Sequence, residues 1–357
     1  MDVEFAKHLK KEKKKIDLLI QNFYKKAIEL EEEPFLREFL TYGSQFVIQG
    51  GRRLHPISLI ETFKGISSER NILDNAEQIY QVSIAIELMH ISNLMLDDLI
   101  DQEEFRRGKK TFHRFMGEKF TKKHNNGENY ETASAIYGGN LTSIFGSKII
   151  TDSKFDHKRK SKALQVYLSG LAGVTRSNLL DEYYKREISL DKITLENYLI
   201  LADKRAKQME TAVALGAIFG NARKSQMKPL MEAMNKVGIV EQIQNDINGT
   251  FGDPKLHSID HDIKSGQSTI LTIISYQNAN QEQKTQLNEI LGNPKATNDQ
   301  LQVVREIYQT TGATNFAEMY SKSLINEVYN SLKQIYPGLR NDSMAFYGQL
   351  LTYITNS

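Results

Sequence analysis

Apolar residues recur along this chain with the spacing of helices rather than strands. Residues 79–96 are the strongest case: Ile79, Tyr80, Val82, Ile84, Ala85, Ile86, Leu88 and Met89 leave hardly any polar face, the mark of a helix buried on all sides. The segments 198–220 and 230–248 show similar spacing, and period-two alternation bounded by turn residues is hard to find anywhere. Residues 1–35 read as a charged N-terminal helix, with Lys10 to Lys15 as a solvated helix end. The stretch 121–131 reads as an exposed loop, a second polar loop covers 250–265, and the Gln- and Asn-rich region 277–300 reads as surface helices and connections. Most of the six prolines (Pro34, Pro56, Pro229, Pro254, Pro294 and Pro337) fall at expected helix boundaries. A proline inside a helix costs ~3 kcal/mol, so this placement leaves room for long helices. The pattern predicts an all-α protein, a single domain over 1–357.

Composition changes the picture in a few places. The chain has 357 residues, 40% hydrophobic and 25% charged, and a net charge of +2. Near-neutral charge implies no polyanion, so no nucleic-acid partner is expected. The absence of cysteine excludes disulfides and thiolate metal sites and is compatible with a reducing compartment. No apolar run looks long enough to span a bilayer, and Met1 to Lys15 has no hydrophobic signal core; the expectation is a cytoplasmic protein without a transmembrane segment.

The candidate chemistry begins where the apolar helix ends. Asp97 and Asp101 are four residues apart, which on a helix puts both carboxylates on one face, where they repel. A cation should compensate, and magnesium suits, since it takes oxygen ligands and is commonly shared between carboxylates and phosphates. A solvated acidic helix end is the alternative for these residues alone. Arg106, Arg107 and Gly108 follow, then Thr111 and His113, and guanidinium groups bind phosphate oxygens as a fork. Upstream, Gly50-Gly51-Arg52-Arg53-Leu54-His55-Pro56 adds a glycine pair and further cations; a basic turn between helices would read the same way.

These residues resemble the motifs of the trans-isoprenyl diphosphate synthases. Asp97 to His113 matches that family's first aspartate-rich motif with its Arg-Arg-Gly and Thr-x-His, and His90 stands seven residues before it. Gly50 to Pro56 is similar to the family's Gly-Gly-Lys-Arg-x-Arg-Pro, with Arg52 in the lysine place and His55 in the second arginine place. The resemblance covers about residues 40–275 and implies the isoprenoid synthase fold, a helical bundle around a central cavity with the two motif helices facing across its mouth. It implies condensation of isopentenyl diphosphate with an allylic diphosphate, using Mg2+ as more than one ion with bound diphosphate. Asp97 and Asp101 would hold magnesium with Asp98 beside them, Arg106 would face the allylic diphosphate, and Arg52, Arg53, His90 and Arg107 would hold isopentenyl diphosphate. Lys204 falls where the family has Lys-Thr, with Arg205 next to it as a further phosphate contact. A homodimer is implied, or a heteromer with a related subunit.

The second aspartate-rich motif departs from the family pattern. Gln242 and Asp246 remain, but its first and third acids are Asn245 and Gly249, and a later lysine is Gln267, with Lys255 and Lys264 nearby. Asn keeps an oxygen and loses the charge, so Asn245 and Asp246 should hold magnesium more weakly than Asp97 and Asp101. Restoring both acids, with Asn245→Asp and Gly249→Asp, is expected to raise activity. The readings are an active synthase making a product of about C20 or longer, a catalytically weak or regulatory subunit of a heteromeric synthase, or a terpene-cyclase-like enzyme. The length expectation rests on Ser92, a small residue before Asp97, with Leu88 and Met89 as the next floor one turn deeper.

Overall fold

The computed structural model describes residues 3–120, 127–253 and 259–355. Among these it has fifteen α-helices, one short 3-10 turn and a single two-stranded hairpin, so the all-α expectation holds. The chain forms two compact units: residues 1–171, 211–227 and 339–349 make the first, and 172–210, 228–338 and 350–357 the second.

The first unit is organised on α4 (Glu69–Ile100), which starts on the Ser68 N-cap. From Ile79 to Met95 it buries nearly every side chain, as its continuous apolar pattern requires. It packs on α3 (Leu54–Ile66) and α6 (Gly127–Asp152). Gly146 lets α6 approach closely, since a Cβ there would come within 2.9 Å of the Ala85 carbonyl oxygen. Contrary to the sequence reading, α4 is long and apolar enough to cross a membrane by length and composition; 72% of that stretch is buried inside the protein, as in a core helix.

Helix α1 (Val3–Leu30) buries a stripe of Phe5, Leu9, Glu12, Ile16, Ile20 and Tyr24. Lys10 to Lys15 therefore lies mid-helix rather than at an end. Four of its five lysines, Lys10, Lys11, Lys14 and Lys15, are exposed, while Glu12 turns inward to accept from Tyr80 Oη at 2.5 Å and Lys15 Nζ at 2.8 Å. The expected loop at 121–131 is shorter, because α6 already begins at Gly127; residues 121–126 lie outside the described residues, as do Pro254 and Lys255. At the other expected loop, 250–265, residues His261–Ser265 form the short helix α10.

In the second unit the part of α8 (Leu195–Phe219) up to Glu210 and the part of α9 (Lys224–Phe251) from Lys228 cross where Gly238 meets Ala206; a Cβ on Gly238 would lie 2.7 Å from Ala206 Cα. Pro229 sits inside α9 rather than at its boundary, near enough to the N-terminus to remove only one early backbone bond. Helices α11 (Ile270–Asn278), α12 (Gln281–Ile290), α13 (Asn298–Thr310) and α14 (Ala313–Lys333) complete the unit, with α12 and α13 each starting on a full capping box.

Candidate active site

Three carboxylates gather at the C-terminal end of α4. Asp97 and Asp101 are half-buried and Asp98 is buried; Asp101 is the C-cap, its N–H donating to the Asp97 carbonyl. The last turn of α4 holds no basic residue, so the acids face the negative end of the helix dipole, where a cation is favoured. Among the described residues no three acids or histidines converge closely enough to enclose an ion.

Just beyond lies the hairpin that the sequence reading missed: Phe105–Arg106 pairs antiparallel with Lys109–Lys110. Its two turn residues, Arg107 and Gly108, both have positive φ, 54° and 75°, as a type I′ turn demands. Glycine does this at no cost; arginine does not. The only sequence signal was the glycine after the arginine pair. Thr111 ties the hairpin down, its N–H donating to the Glu104 carbonyl and its hydroxyl to the Glu103 carbonyl at 2.6 Å. His113 is fully buried, with no hydrogen-bond partner at either ring nitrogen; burial first, then Arg114, pushes its pKa down to about 4.

Arg106 Nε donates to Asp98 Oδ1 at 2.6 Å. Burial opposes the Arg106 charge, but Asp98 and Asp97 outweigh it and hold the guanidinium above its usual range. Asp98 itself is pushed up by burial, with Arg106 pulling the other way. Asp98 thus braces the hairpin through Arg106.

Arg107 lies over Gly50 and Gly51. A Cβ on Gly51 would come within 2.9 Å of its guanidinium, so side chains there would displace it. Burial first, then the charges of Arg106, Arg53 and Arg52, push Arg107 below the usual arginine range even with Glu87 opposing. A cluster of like charges of this kind favours an anion.

Arg53 departs from the expected ligand role. Its guanidinium is completely buried and donates to Asp17 Oδ1 at 2.8 Å, Glu87 Oε1 and the Val47 carbonyl at 2.8 Å. It supports the site from beneath. The residue that the sequence reading left out is His55, whose ring lies 5.3 Å from that of His90; both act on the buried Glu87, which burial pushes up but Arg53, His90 and His55 together hold below the usual carboxylate range. The signal was present, as His55 stands in the second arginine place of its motif.

In the second unit Asp246 is buried and committed to protein: Gln242 Nε2 donates to its Oδ1 at 2.7 Å and the Ile270 N–H, at the start of α11, to its Oδ2 at 3.1 Å. Burial, then Asp262, pushes its pKa up to about 7. Asp246 therefore accepts from the first N–H of α11, whose N-cap is Thr269, and Asn245 is exposed. On α8, Lys204 is half-buried, and Arg205 donates to the buried Asp181 at 2.8 Å. Gln267, with its amide oriented to satisfy both neighbours, donates to Asp181 Oδ2 at 2.9 Å and accepts from Lys185 Nζ at 2.8 Å.

The sequence profile of the polyprenyl synthetases matches residues 35–310. The chain belongs to the polyprenyl synthetase family. Among relatives, a geranylfarnesyl diphosphate synthase of Aeropyrum pernix is 26% identical over 310 residues, 85% of this chain and 90% of that one. A geranylgeranyl diphosphate synthase of Saccharolobus solfataricus is 26% identical over 321 residues, 88% and 87% of the two chains. Among solved structures, the geranylgeranyl pyrophosphate synthase of Corynebacterium glutamicum, complexed with isoprenyl diphosphate and magnesium, superposes with a TM-score of 0.84 at 20% identity over 96% of this chain and 98% of that one. At that identity the superposition shows the polyprenyl synthetase fold, and it extends the likeness beyond the 40–275 read from motifs.

Proposed function

We propose that this polyprenyl synthetase condenses isopentenyl diphosphate with an allylic diphosphate, in trans, to give a product of about C20 or longer. The observation that carries the reading is the pairing, within the first unit, of two half-buried carboxylates at a helix C-terminus with an arginine cluster laid on a glycine pair. Asp97 and Asp101 would hold magnesium, which when bound neutralises the charge growing on a departing diphosphate. Arg52, His55, His90 and Arg107 would receive isopentenyl diphosphate, Lys204 and Arg205 a further phosphate, and Arg106 would be kept in place by Asp98. Preplaced cations of this kind stabilise the leaving group without reorganisation. The fully buried Leu88, Met89 and Ser92 fit an apolar wall, which a carbocation requires.

The apolar side chains of Ile136, Tyr137 and Ile144 exposed along α6 fit a homodimer with a second copy, or a heteromer with a related subunit. A cysteine-free chain fits a cytoplasmic setting.

Incubation of the purified chain with Mg2+, isopentenyl diphosphate and each allylic starter tests the reading, with dephosphorylated products separated by chromatography. Chain elongation to C20 or beyond is expected, with shorter products from Ser92→Phe. No elongation unless a second subunit is added would instead favour the heteromeric reading, and diphosphate release without isopentenyl diphosphate a cyclase.

A further inference from the structure

The second motif lacks its third acid, because position 249 is glycine. A Cβ built on Gly249 would lie 2.9 Å from Asp262 Oδ2, and that carboxylate group is all it would meet. The space into which a side chain at 249 would grow is therefore already filled by a carboxylate from elsewhere in the chain. We propose that Asp262 supplies the metal-binding carboxylate of the second motif, in the place left by the missing acid at 249. The inference rests on the magnesium-dependent reading above.

Two anchors hold Asp262 there. The Asp260 N–H donates to the carbonyl of Gly249 itself at 2.8 Å, tying the start of α10 to α9. Arg305 then grips both oxygens of Asp260 at 2.5 Å and donates to the Thr250 carbonyl at 3.2 Å. A further bond, from the Gln267 N–H to the Asp262 carbonyl at 2.9 Å, closes the other end of α10. Asp262 is half-buried, whereas Asp246 is fully buried with an oxygen on Gln242 and another on Ile270. Of the two acids, only Asp262 is placed to share an ion with water and phosphate.

The surroundings fit a ligand. Tyr198, also buried, stands close enough to Asp246 and Asp262 to feel both carboxylates, yet its hydroxyl makes no hydrogen bond of normal geometry. Asp262 also feels the charges of His261, Arg205 and Lys185, of which Arg205 and Lys185 are partly drawn off by Asp181, at 2.8 and 3.5 Å. Restoring the family acid at 249 now has a different expected outcome. Gly249→Asp would drive a second carboxylate into Asp262, so by itself, or with Asn245→Asp, it should weaken the site rather than repair it.

Mn2+ binding to the full chain in the presence of inorganic diphosphate, followed by electron paramagnetic resonance, tests the exchange. Asp262→Asn, which keeps the shape and removes the charge, should weaken one class of Mn2+ site about tenfold or more, and Gly249→Asp should weaken it too. The swap Gly249→Asp with Asp262→Ala should bring it back to within about threefold of wild type, a difference under 1 kcal/mol. Mn2+ binding by Asp262→Asn equal to wild type, or a swap that binds worse than either single change, overturns the inference. Asp97→Asn serves as the control: if Mn2+ with diphosphate is indifferent to Asp97 as well, the functional reading itself falls, whereas loss at Asp97 and none at Asp262 removes this inference only.

Discussion

At the end of α4, Asp97 and Asp101 stand half-buried at the negative end of a long helix, while near the end of α9 Asp246 is buried and takes two hydrogen bonds from its own protein. Both stretches are acidic in sequence, yet the first keeps two of its carboxylates half-buried at a helix end and the second buries its remaining acid among donors of its own protein. The difference lies in the neighbours. The first motif has Arg106 donating to Asp98 and held by the charge of Asp97 as well, so its middle acid is tied to the hairpin. In the second, Asn245 and Gly249 stand in place of the outer two acids, and the middle one accepts from the first N–H of α11. An aspartate's role in such a motif follows from which side of the helix it occupies and not from its presence in the string.

The largest effect should come from the support beneath the first site. Arg53→Met leaves Glu87 buried without its partner, and such losses cost about 3–5 kcal/mol, a large share of a domain's stability. Urea denaturation should show this directly, while Arg107→Met, at the hairpin turn, should leave the midpoint nearly unchanged and abolish most activity. If Arg53→Met proves as stable as wild type, Arg53 belongs with the ligand-facing cations and the contrast drawn here is lost.

Next comes the Asp97–Asp101 pair. Asp97→Ala should lower prenyl transfer by about 10²–10³-fold, with stability unchanged or raised by up to about 1 kcal/mol because an acid leaves a helix C-terminus. Steady-state rates alongside thermal unfolding would separate the two effects; unfolding with no dependence of the wild type on magnesium would make the cluster structural.

The smallest effect concerns His113, buried just after the hairpin. Its folded pKa of about 4 lies below the ordinary 6.5, so between those values the unfolded chain binds the extra proton. Stability should be full above about pH 6.5 and fall as pH drops toward about 4. His113→Phe should flatten that part of the pH–stability curve, measured by denaturant midpoints at successive pH values. An unchanged slope would assign the acid sensitivity to other groups.

How much of this was legible depended on distance along the chain. Helix α4 and the Asp97–Asp101 pair could be read because periodicity and i,i+4 spacing are local. The burial of Arg53 could not, since its partners Asp17 and Glu87 lie 36 and 34 residues away. The hairpin hid because its strands are two residues long and its turn puts arginine where glycine or asparagine is usual. Asp246 looked like a ligand until the start of α11 supplied it with an N–H, and Gly249 looked like a loss until Asp262 was found above it.

The bracing of α3 has a bearing on where this protein can be cut. The family profile begins at residue 35 and stops at 310, yet α3, which carries His55, is held by residues outside both limits. Asp17 of α1 reaches Arg53 at its N-terminus. From the other end of the chain, Tyr347 bonds Thr62, Ser343 donates to the Glu61 carbonyl at 2.9 Å, and the Arg340 N–H donates to the Gly65 carbonyl at 3.0 Å. The boundaries of the recognisable family segment are thus not the boundaries of the cooperative folding unit. A fragment trimmed to that segment would keep every motif residue and lose the clamps that hold one of its helices at both ends.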